Sequence, residues 1–337
     1  MPQGPWDYLA GGTETETTLR RNRYALDTLA LRPRVCRDVS RVDTGIELFG
    51  KRLELPLMLA PVGSVETFTA GGGATAARGA ARSGVAQMLS CVCNPGLEAV
   101  AEASGDSLRL YQLYVRGDNR FIDAQVERAL VHGYAAFAIT VDTAHYSRRE
   151  RDLDNRFVKP WRAAATGHDF QKRFNWDNVK HFKDKHRIPL ILKGIMTVED
   201  ARIAVEHGVD GIYVSNHGGR QLDHGLGAMD VMPEVVKAVD GKAHVFVDGA
   251  FMRGTDVVKA MALGATAVGI GRLACLGLAA DGEEGLASTL AILREEVRTA
   301  MGLLGVNRYD ELSANFVTKA PAMHSPHVLS AFPLLER

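Results

Sequence analysis

Short apolar runs alternate with alanine-rich amphipathic segments along most of the chain. Eight of these runs predict strands: Leu57–Ala60, Ala86–Ser90, Arg109–Tyr114, Ala135–Val141, Pro189–Lys193, Gly211–Ser215, His244–Asp248 and Ala267–Gly271. They are rich in Val, Ile and Leu and do not alternate strictly, which is typical of parallel strands covered on both faces. Four segments between them predict helices, and each is followed by a glycine that can end a helix: Ala74–Ser83, Asn119–His132, Val198–His207 and Thr255–Leu263.

Eight strands alternating with helices favour one closed parallel (β/α)8 barrel, a TIM barrel of the α/β class, over an open doubly wound sheet. We expect a single domain over residues 51–320, with an N-terminal segment at 1–50 that packs on the barrel and a C-terminal tail at 321–337. The longest interruption, about 143–182, follows the fourth strand and contains Lys159-Pro160-Trp161. A long insertion on this side of a barrel is a candidate lid over the active site.

The composition limits the kinds of partner. Lys plus Arg and Asp plus Glu both number 40, so the chain lacks the positive field that nucleic acid or an anionic membrane surface requires. The four cysteines do not form a disulfide framework or a zinc-binding pattern. No apolar run approaches the roughly 18 residues of a membrane span. We therefore expect a cytoplasmic protein that binds a small molecule, without a metal.

Barrel enzymes carry their chemistry at the carboxyl ends of the strands. Reading those ends gives a dense polar set with interspersed small residues: Pro61, Val62, Gly63, Ser90, Gln112, Tyr114, Thr140, Asp142, Lys193, Ser215, Arg220, Asp248, Gly249, Gly271 and Arg272. Lys193 ends an apolar strand, so we expect it to have a buried anionic partner.

The segment from Ser215 to Asp223 is the most informative part of this rim. His217 offers a base that titrates near neutrality, and Arg220 offers a planar fork that matches a carboxylate. Two glycines between them would let the backbone approach a flat ligand closely. Taken alone, the segment is equally compatible with a structural histidine and a surface arginine; the rest of the rim favours a functional site.

The loops after strands seven and eight predict a phosphate site. Asp248-Gly249-Ala250 and Gly269-Ile270-Gly271-Arg272 stand where many barrels bind phosphate with backbone N–H groups and one basic side chain. Arg272 would supply the positive charge.

These residues together resemble the FMN-dependent α-hydroxy acid oxidase and dehydrogenase family, which includes glycolate oxidase, lactate oxidase and mandelate dehydrogenase. The resemblance covers nearly the whole chain. It is carried by Asp7-Tyr8-Leu9-Ala10-Gly11-Gly12, Gln112-Leu113-Tyr114-Val115, Thr140-Val141-Asp142-Thr143, Ser215-Asn216-His217-Gly218-Gly219-Arg220-Gln221-Leu222-Asp223 and Asp248-Gly249. It implies a flavoprotein that oxidises an (S)-2-hydroxy acid to the 2-oxo acid with FMN, and a homotetramer.

The resemblance also implies a role for each matching residue. His217 is the catalytic base, Asp142 stabilises its imidazolium, and Tyr114 binds the hydroxyl that is oxidised. Tyr8, Arg149, Arg220 and Tyr114 make up the substrate site. The implied flavin site consists of Pro61, Val62, Gly63, Ser90, Gln112, Thr140, Lys193, Ser215, Asp248, Gly249, Arg253, Gly271 and Arg272.

Three positions depart from the family pattern. Met252 stands where relatives usually have a phosphate-binding arginine, so either Arg272 and Arg253 suffice for that task or the flavin is bound more weakly than usual. Gly63 replaces a frequent alanine and Val92 a frequent large aromatic residue, so we expect a substrate bulkier than glycolate. Two alternatives stay open: an FMN-dependent oxidase of a larger or amine-containing biosynthetic intermediate, and a flavin-free barrel that serves as a binding protein.

Overall fold

The computed structural model describes residues 1–163 and 166–336, and in this part of the chain eight parallel strands close into a barrel. Ala164 and Ala165 of the predicted insertion, and Arg337 of the predicted tail, lie outside the described residues. The barrel strands are β4 (Leu57–Leu59), β5 (Ala86–Ser90), β6 (Arg109–Leu113), β7 (Ala136–Thr140), β8 (Leu190–Ile195), β9 (Gly211–Val214), β10 (His244–Val247) and β11 (Ala267–Ile270). Neighbours along the chain pair in parallel, and β11 pairs with β4 to complete the ring.

Two small antiparallel pairs flank the barrel: β1 (Leu29–Leu31) with β12 (Val317–Lys319), and β2 (Ile46–Leu48) with β3 (Lys51–Leu53). The helices are α1 (Gln3–Ala10), α2 (Thr17–Asp27), α3 (Gly72–Arg82), α4 (Leu97–Ser104), α5 (Asn119–Val131), α6 (Glu150–Asp154), α7 (Pro160–Ala163), α8 (His168–Arg173), α9 (Trp176–Lys185), α10 (Val198–Glu206), α11 (Ala228–Val239), α12 (Gly254–Ala262) and α13 (Arg272–Leu304). The last of these is broken at Asp281 and Gly282, whose backbone angles are not helical.

The eight-stranded barrel confirms the predicted fold. All eight predicted strands are present, and every residue of β5 and β7 is buried, as expected for strands covered on both faces. The four predicted helices also form, within two residues of the predicted ends. Asp118 and Thr197 cap α5 and α10 by accepting backbone N–H groups of the first turn.

The barrel interior is packed with side chains at its amino-terminal end, and this packing leaves the carboxyl end for the site. Met58, Met88, Ile191, Tyr213 and Phe246 form one buried cluster there, together with side chains of the β2–β3 hairpin. The ring of Phe49, at the turn of this hairpin, lies 6.3 Å from the ring of Phe246. The hairpin therefore closes the bottom of the barrel.

The predicted insertion is shorter than expected. Its last part, residues 176–182, lies in α9, a helix of the barrel itself, because Val179 and Phe182 are buried and Phe182 packs on Phe137 of β7. Helices α6, α7 and α8 make up the remainder. None of the helices within the described ranges combines the length and apolarity needed to cross a membrane.

Candidate active site

A cleft opens at the carboxyl ends of the barrel strands. Most of the predicted site residues line it: Tyr8, Pro61, Val62, Gly63, Tyr114, Arg149, Lys193, His217, Arg220, Asp248, Gly249, Gly271 and Arg272. The parallel strands of a barrel all end at this rim, so residues far apart in the chain converge here.

His217 lies between a carboxylate and a phenol. Its Nδ1 is 3.1 Å from Oδ1 of Asp142, and its Nε2 is 3.1 Å from the hydroxyl of Tyr114. Since a carboxylate only accepts hydrogen bonds, Nδ1 carries the proton and donates it to Asp142. Nε2 is then the unprotonated nitrogen, accepts from Tyr114, and can act as a base toward the cleft.

The backbone around His217 is held in an unusual conformation. His217 has a φ of 61°, and its N–H donates to the hydroxyl of Ser215. The following Gly218 and Gly219 also have positive φ, and a Cβ atom on Gly219 would lie 2.4 Å from the backbone of Leu19. We expected this glycine to let the backbone approach a flat ligand. The structure corrects that expectation, because glycine at position 219 makes room for the backbone of helix α2.

The charges around His217 favour the neutral imidazole before reaction. Burial lowers the pKa of His217, and the charges of Lys193 and Arg149 lower it further, while Asp142 opposes the shift. Burial disfavours the ionised form of Asp142, but His217 outweighs it, and the pKa of Asp142 is lowered. Burial and Asp142 raise the pKa of Tyr114 well above its usual value, so it remains a hydrogen-bond donor.

The guanidinium groups of Arg220 and Arg149 face the cleft and have no carboxylate partner in the part of the chain that the structure describes. Arg220 lies 4.7 Å from the ring centre of Tyr8 and donates to the backbone carbonyls of Tyr8 and Leu9. Arg149 is 9% exposed and donates to the hydroxyl of Ser147. Burial and the charge of Arg149 lower the pKa of Arg220, so an added anion would be stabilised here.

Lys193 has the buried anionic partner that its place in the sequence requires. Its ammonium donates to the hydroxyl of Ser215 at 2.7 Å and lies 3.3 Å from Oδ2 of Asp248. The Ser215 hydroxyl donates in turn to Oδ1 of Asp248 at 2.7 Å. Both oxygens of the Asp248 carboxylate are therefore engaged, one by Lys193 and one by Ser215. The ammonium of Lys193 is fixed at the floor of the cleft, and Asp248 balances its positive charge.

Polar atoms in the barrel mouth fit a flavin. Ser90, Gln112, Thr140 and Ser215 are not among the residues that line the cleft; all four are buried at the strand ends. Gln112 accepts from Ser90 at 2.8 Å, but its side-chain amide nitrogen has no partner, and neither has the hydroxyl of Thr140. Buried polar groups without partners are costly, and the carbonyl and N–H edge of a flavin ring would satisfy them.

The predicted phosphate site is present in part. Gly249, with a φ of 108°, Gly271 and Arg272 line one end of the cleft. The guanidinium of Arg272 donates to the carbonyls of Leu9, Gly11 and Gly218 at 2.7–3.0 Å. Burial and the charge of Arg220 lower the pKa of Arg272 to about 9. Arg272 is thus held by neutral carbonyl groups, so its positive charge is not balanced by a carboxylate and can attract an anion.

Arg253 does not face the cleft, which corrects its predicted role. Its guanidinium pairs with Glu296 of α13 at 2.5 Å and donates to the carbonyl of Ala331. The preceding residue, Met252, is 3% exposed and lines the cleft. Successive side chains at the start of a helix point in different directions, so only one of the two can reach the cleft.

Two residues of the insertion were not predicted as site residues. Trp161 lines the cleft, and the ammonium of Lys159 lies 4.6 Å from the ring centre of Tyr8. Lys159 is 2% exposed and pairs with Asp152 at 2.6 Å. Burial and the charge of Arg149 lower its pKa to about 7. The Lys159-Pro160-Trp161 motif marked this stretch, but only the fold of the insertion brings it to Tyr8.

Comparison with known proteins shows the family of this chain. A sequence model of a family described as FMN-dependent dehydrogenase matches residues 1–319. Glycolate oxidase 3 of Arabidopsis thaliana is 37% identical over 98% of this chain and 95% of its own length. An L-lactate oxidase of Nostoc sp. is 37% identical over 94% of both chains.

Solved structures of mandelate oxidase are also similar. One, in complex with a difluorinated 2-hydroxy-3-phenylpropionic acid, has a TM-score of 0.88 and 39% identity, and covers 96% of both chains. Another, of a variant described with an FMN adduct, has a TM-score of 0.86 and 39% identity, over 95% of this chain and 96% of the other.

Proposed function

This chain belongs to the FMN-dependent dehydrogenase family and is an FMN-dependent 2-hydroxy acid oxidoreductase; from that premise we propose that it converts an (S)-2-hydroxy acid bulkier than glycolate to the 2-oxo acid at the His217 site. The observation that carries the proposal is the arrangement around His217. One imidazole nitrogen is fixed on Asp142, the other accepts from Tyr114 on the cleft side, and the guanidinium groups of Arg149 and Arg220, which have no carboxylate partner in the described part of the chain, lie on the same cleft.

Arg220 and Arg149 would bind the substrate carboxylate, because both face the cleft with their charge uncompensated. The phenol of Tyr8, which donates to the carbonyl of Gly63 at 2.9 Å, lies against Arg220 and would complete the carboxylate site. Burial raises the pKa of Tyr8 to about 12, so it stays a donor. A carboxylate held here is close to Nε2 of His217, on the same cleft.

His217 would take a proton from the bound substrate. Removing two electrons and two protons converts the hydroxy acid to the oxo acid, and Nε2 of His217 accepts one of the protons. Asp142 then faces an imidazolium at 3.1 Å, which it stabilises by charge and by a hydrogen bond. Tyr114, 3.1 Å from Nε2, would hold the hydroxyl that is oxidised.

FMN supplies the acceptor of the electron pair and of the second proton. Lys193, with the unpartnered amide of Gln112 and hydroxyl of Thr140, would contact the polar edge of its ring. The backbone at Gly249 and Gly271, and the guanidinium of Arg272, would hold its phosphate. Since Arg253 is committed to Glu296 and Met252 brings no charge, Arg272 would be the main cation of the phosphate site.

The size of the substrate follows from small residues on one wall of the cleft. Gly63 and Val92 are neighbours there, and a Cβ atom on Gly63 would lie 2.8 Å from Cγ2 of Val92 and 3.5 Å from Nε1 of Trp161. An aromatic residue at position 92 would be larger than Val92 and would reduce the space at this wall of the cleft. The likeness to mandelate oxidases, whose substrate carries a phenyl group, supports the same conclusion.

The test begins with the absorption spectrum of the purified protein, which is expected to show flavin bands near about 370 and 450 nm. Anaerobic addition of glycolate, L-lactate or (S)-mandelate is expected to bleach the 450 nm band, with glycolate the slowest. His217→Ala is expected to keep FMN and lose the bleaching, whereas His224→Ala, a histidine outside the cleft lining, serves as the matched control. Bleaching of His217→Ala at the wild-type rate contradicts the assignment of the base.

The same experiment separates the two alternatives. A colourless protein that does not bind added FMN is the outcome expected of a flavin-free binding protein. A yellow protein that no hydroxy acid bleaches, but that an amine-containing acid does, is the outcome expected of an amine oxidase. The unpartnered polar atoms at Gln112 and Thr140 argue against the former.

We also propose a cytoplasmic location and a homotetrameric assembly. The four cysteines are free thiols, which fits a reducing compartment. The tetramer rests on the family resemblance. Cell fractionation tests the location, and light scattering of the FMN-loaded protein tests the assembly, for which a mass about four times that of the chain is expected.

A further inference from the structure

A second cavity adjoins the active-site cleft on the side of the insertion. The two cavities share Tyr114, Arg149, Trp161 and His217 as lining residues. A molecule whose reacting carbon lies at His217 could therefore extend into the second cavity without leaving the site.

The second cavity is lined by positive side chains. Besides Arg149, its lining includes Arg116, Arg162, His168 and Lys172, and no aspartate or glutamate is among its described lining residues. Lys172 pairs with Asp169, but Arg116 and Arg162 have no ion-pair partner within residues 1–163 and 166–336. Positive side chains that gather around one cavity without acidic neighbours repel one another, so the cavity favours an anion from outside.

Aromatic rings hold the two unpaired arginines in place. The guanidinium carbon of Arg116 lies 5.1 Å from the ring centre of Trp161, and that of Arg162 lies 3.5 Å from the ring centre of Tyr146. Cation–π contacts of this kind fix a guanidinium while leaving its N–H edge free to donate. The side chains are thus positioned before any ligand binds.

Unpartnered donors occur in the same cavity. Nε1 of Trp161 and one terminal nitrogen of Arg162 are buried and have no hydrogen-bond partner, and the buried hydroxyl of Thr143 is also unpartnered. All three residues line the second cavity. Trp161 and Arg162 can only donate, so they require an acceptor. An oxyanion would supply the acceptor and the negative charge together.

The electrostatics of His168 support this picture. Burial lowers the pKa of His168, and the positive charges of Arg116 and Arg162 lower it further. The three groups are therefore close enough to repel one another. A bound anion would relieve this repulsion.

We propose that the second cavity binds a second anionic group of the substrate, so that the enzyme acts on 2-hydroxy acids that carry a distal carboxylate or phosphate. Arg149 and Arg220 would hold the carboxylate next to the reacting carbon, and Arg116, Arg162 and Nε1 of Trp161 would hold the distal anion. This inference rests on the proposed function, and it narrows the substrate class of the same site.

The test compares substrates that differ only in the distal group. (S)-2-Hydroxyglutarate and (S)-2-hydroxypentanoate have the same carbon skeleton, as do (S)-4-carboxymandelate and (S)-4-methylmandelate. With the FMN-loaded enzyme, kcat/KM is expected to be at least about tenfold higher for the dianionic member of one pair, since a charge-assisted hydrogen bond is worth at least that factor. 3-Phosphoglycerate, a 2-hydroxy acid with a distal phosphate and no second carboxylate, distinguishes a distal phosphate from a distal carboxylate.

Two variants assign the effect to the cavity. Arg162→Met and Arg116→Met are expected to bring the ratio of the two kcat/KM values to about threefold or less. Arg173→Met is the matched control, because Arg173 lies on the same α8 helix as His168 and Lys172 but does not line the cavity. Its ratio is expected to equal that of the wild type.

Binding provides a second readout. The change in the flavin spectrum on addition of 2-oxoglutarate or 2-oxopentanoate gives the Kd of each product. At low salt the dianion 2-oxoglutarate is expected to bind at least about tenfold more tightly than 2-oxopentanoate. The difference in Kd is expected to shrink as salt is added. A wild-type enzyme that prefers the monoanionic member of both pairs, or a ratio unchanged in Arg162→Met and Arg116→Met, overturns the inference and leaves the proposed function intact. If no hydroxy acid of either kind bleaches the flavin, the proposed function fails, and this inference fails with it.

Discussion

Replacement of Asp142 by Asn tests the arrangement around His217 most directly, because the change removes one negative charge and adds no bulk. The carboxylate lies 3.1 Å from Nδ1 of His217. At an effective dielectric constant of about 20, two unit charges at this distance interact by about 5 kcal/mol. The asparagine oxygen still accepts the Nδ1 proton, so we expect a loss of about 3–5 kcal/mol in stabilising the imidazolium. This corresponds to a decrease in kcat/KM of about a hundredfold to a few thousandfold.

The pH profile gives the same substitution a second, independent outcome. Asp142 raises the pKa of His217 against the effect of burial. Without the carboxylate the pKa of His217 falls further, and the imidazole stays unprotonated to lower pH. A base must be unprotonated to act, so the acid limb of the kcat/KM profile is expected to move to lower pH while the plateau decreases.

Anaerobic stopped-flow bleaching of the FMN-loaded protein measures both quantities, with the flavin content of each sample taken from its spectrum. Asp123→Asn is the matched control, since Asp123 is also hydrogen-bonded to a histidine, His186 at 2.7 Å, but lies outside the cleft. A variant that binds FMN and keeps kcat/KM within about threefold of wild type would refute the role of Asp142. An acid limb that moves to higher pH would refute the reasoning on charge.

Three further predictions follow from the cleft. Arg272→Met is expected to weaken FMN binding by at least about tenfold, measured by fluorescence titration of the apoprotein, whereas Arg253→Met is expected to leave the Kd within about threefold, because only the former guanidinium faces the cleft. Gly63→Ala is expected to lower kcat/KM for mandelate relative to lactate by about tenfold, since the new methyl group would lie 2.8 Å from a methyl of Val92; an unchanged ratio contradicts the assignment of this wall. The pKa of Lys159 is lowered to about 7, mainly by burial, so the folded protein binds this proton less readily than the unfolded chain above pH 7. The thermal midpoint is therefore expected to rise from pH 7 to pH 9, and Lys159→Met is expected to lose that part of the rise.

The local sequence pattern was sufficient to predict the barrel and much of the rim formed by its strand ends. Apolar runs without strict alternation predicted eight strands, and the rule that barrel strands end at one rim placed His217, Tyr114 and Lys193 together. The partner of Lys193 was expected from burial alone, since a charged end on an apolar strand needs an opposite charge. Its identity as Asp248 required the pairing of β8, β9 and β10.

Side-chain direction and long-range packing were not accessible in the same way. Arg253 and Met252 are adjacent, and only the start of α12 decides that the methionine faces the cleft and the arginine faces Glu296. The need for glycine at Gly219 arises from helix α2, nearly two hundred residues earlier in the chain. Neither the directions of these two side chains nor the need for glycine at position 219 can be predicted from the local sequence.

The sequence by itself determined the barrel, the family and the chemical groups available at the rim, because strand periodicity and motif spacing are local properties that any fold of this chain must satisfy. The tertiary structure decided which groups meet and which are left without partners. It placed Lys159 against the ring of Tyr8 and Trp161 in the lining of the cleft, and it gathered Arg116 and Arg162 around a cavity that lacks acidic residues in its described lining. These contacts join segments distant in the chain, and their energy depends on burial and on the distance between charges, which exist only once the chain has folded.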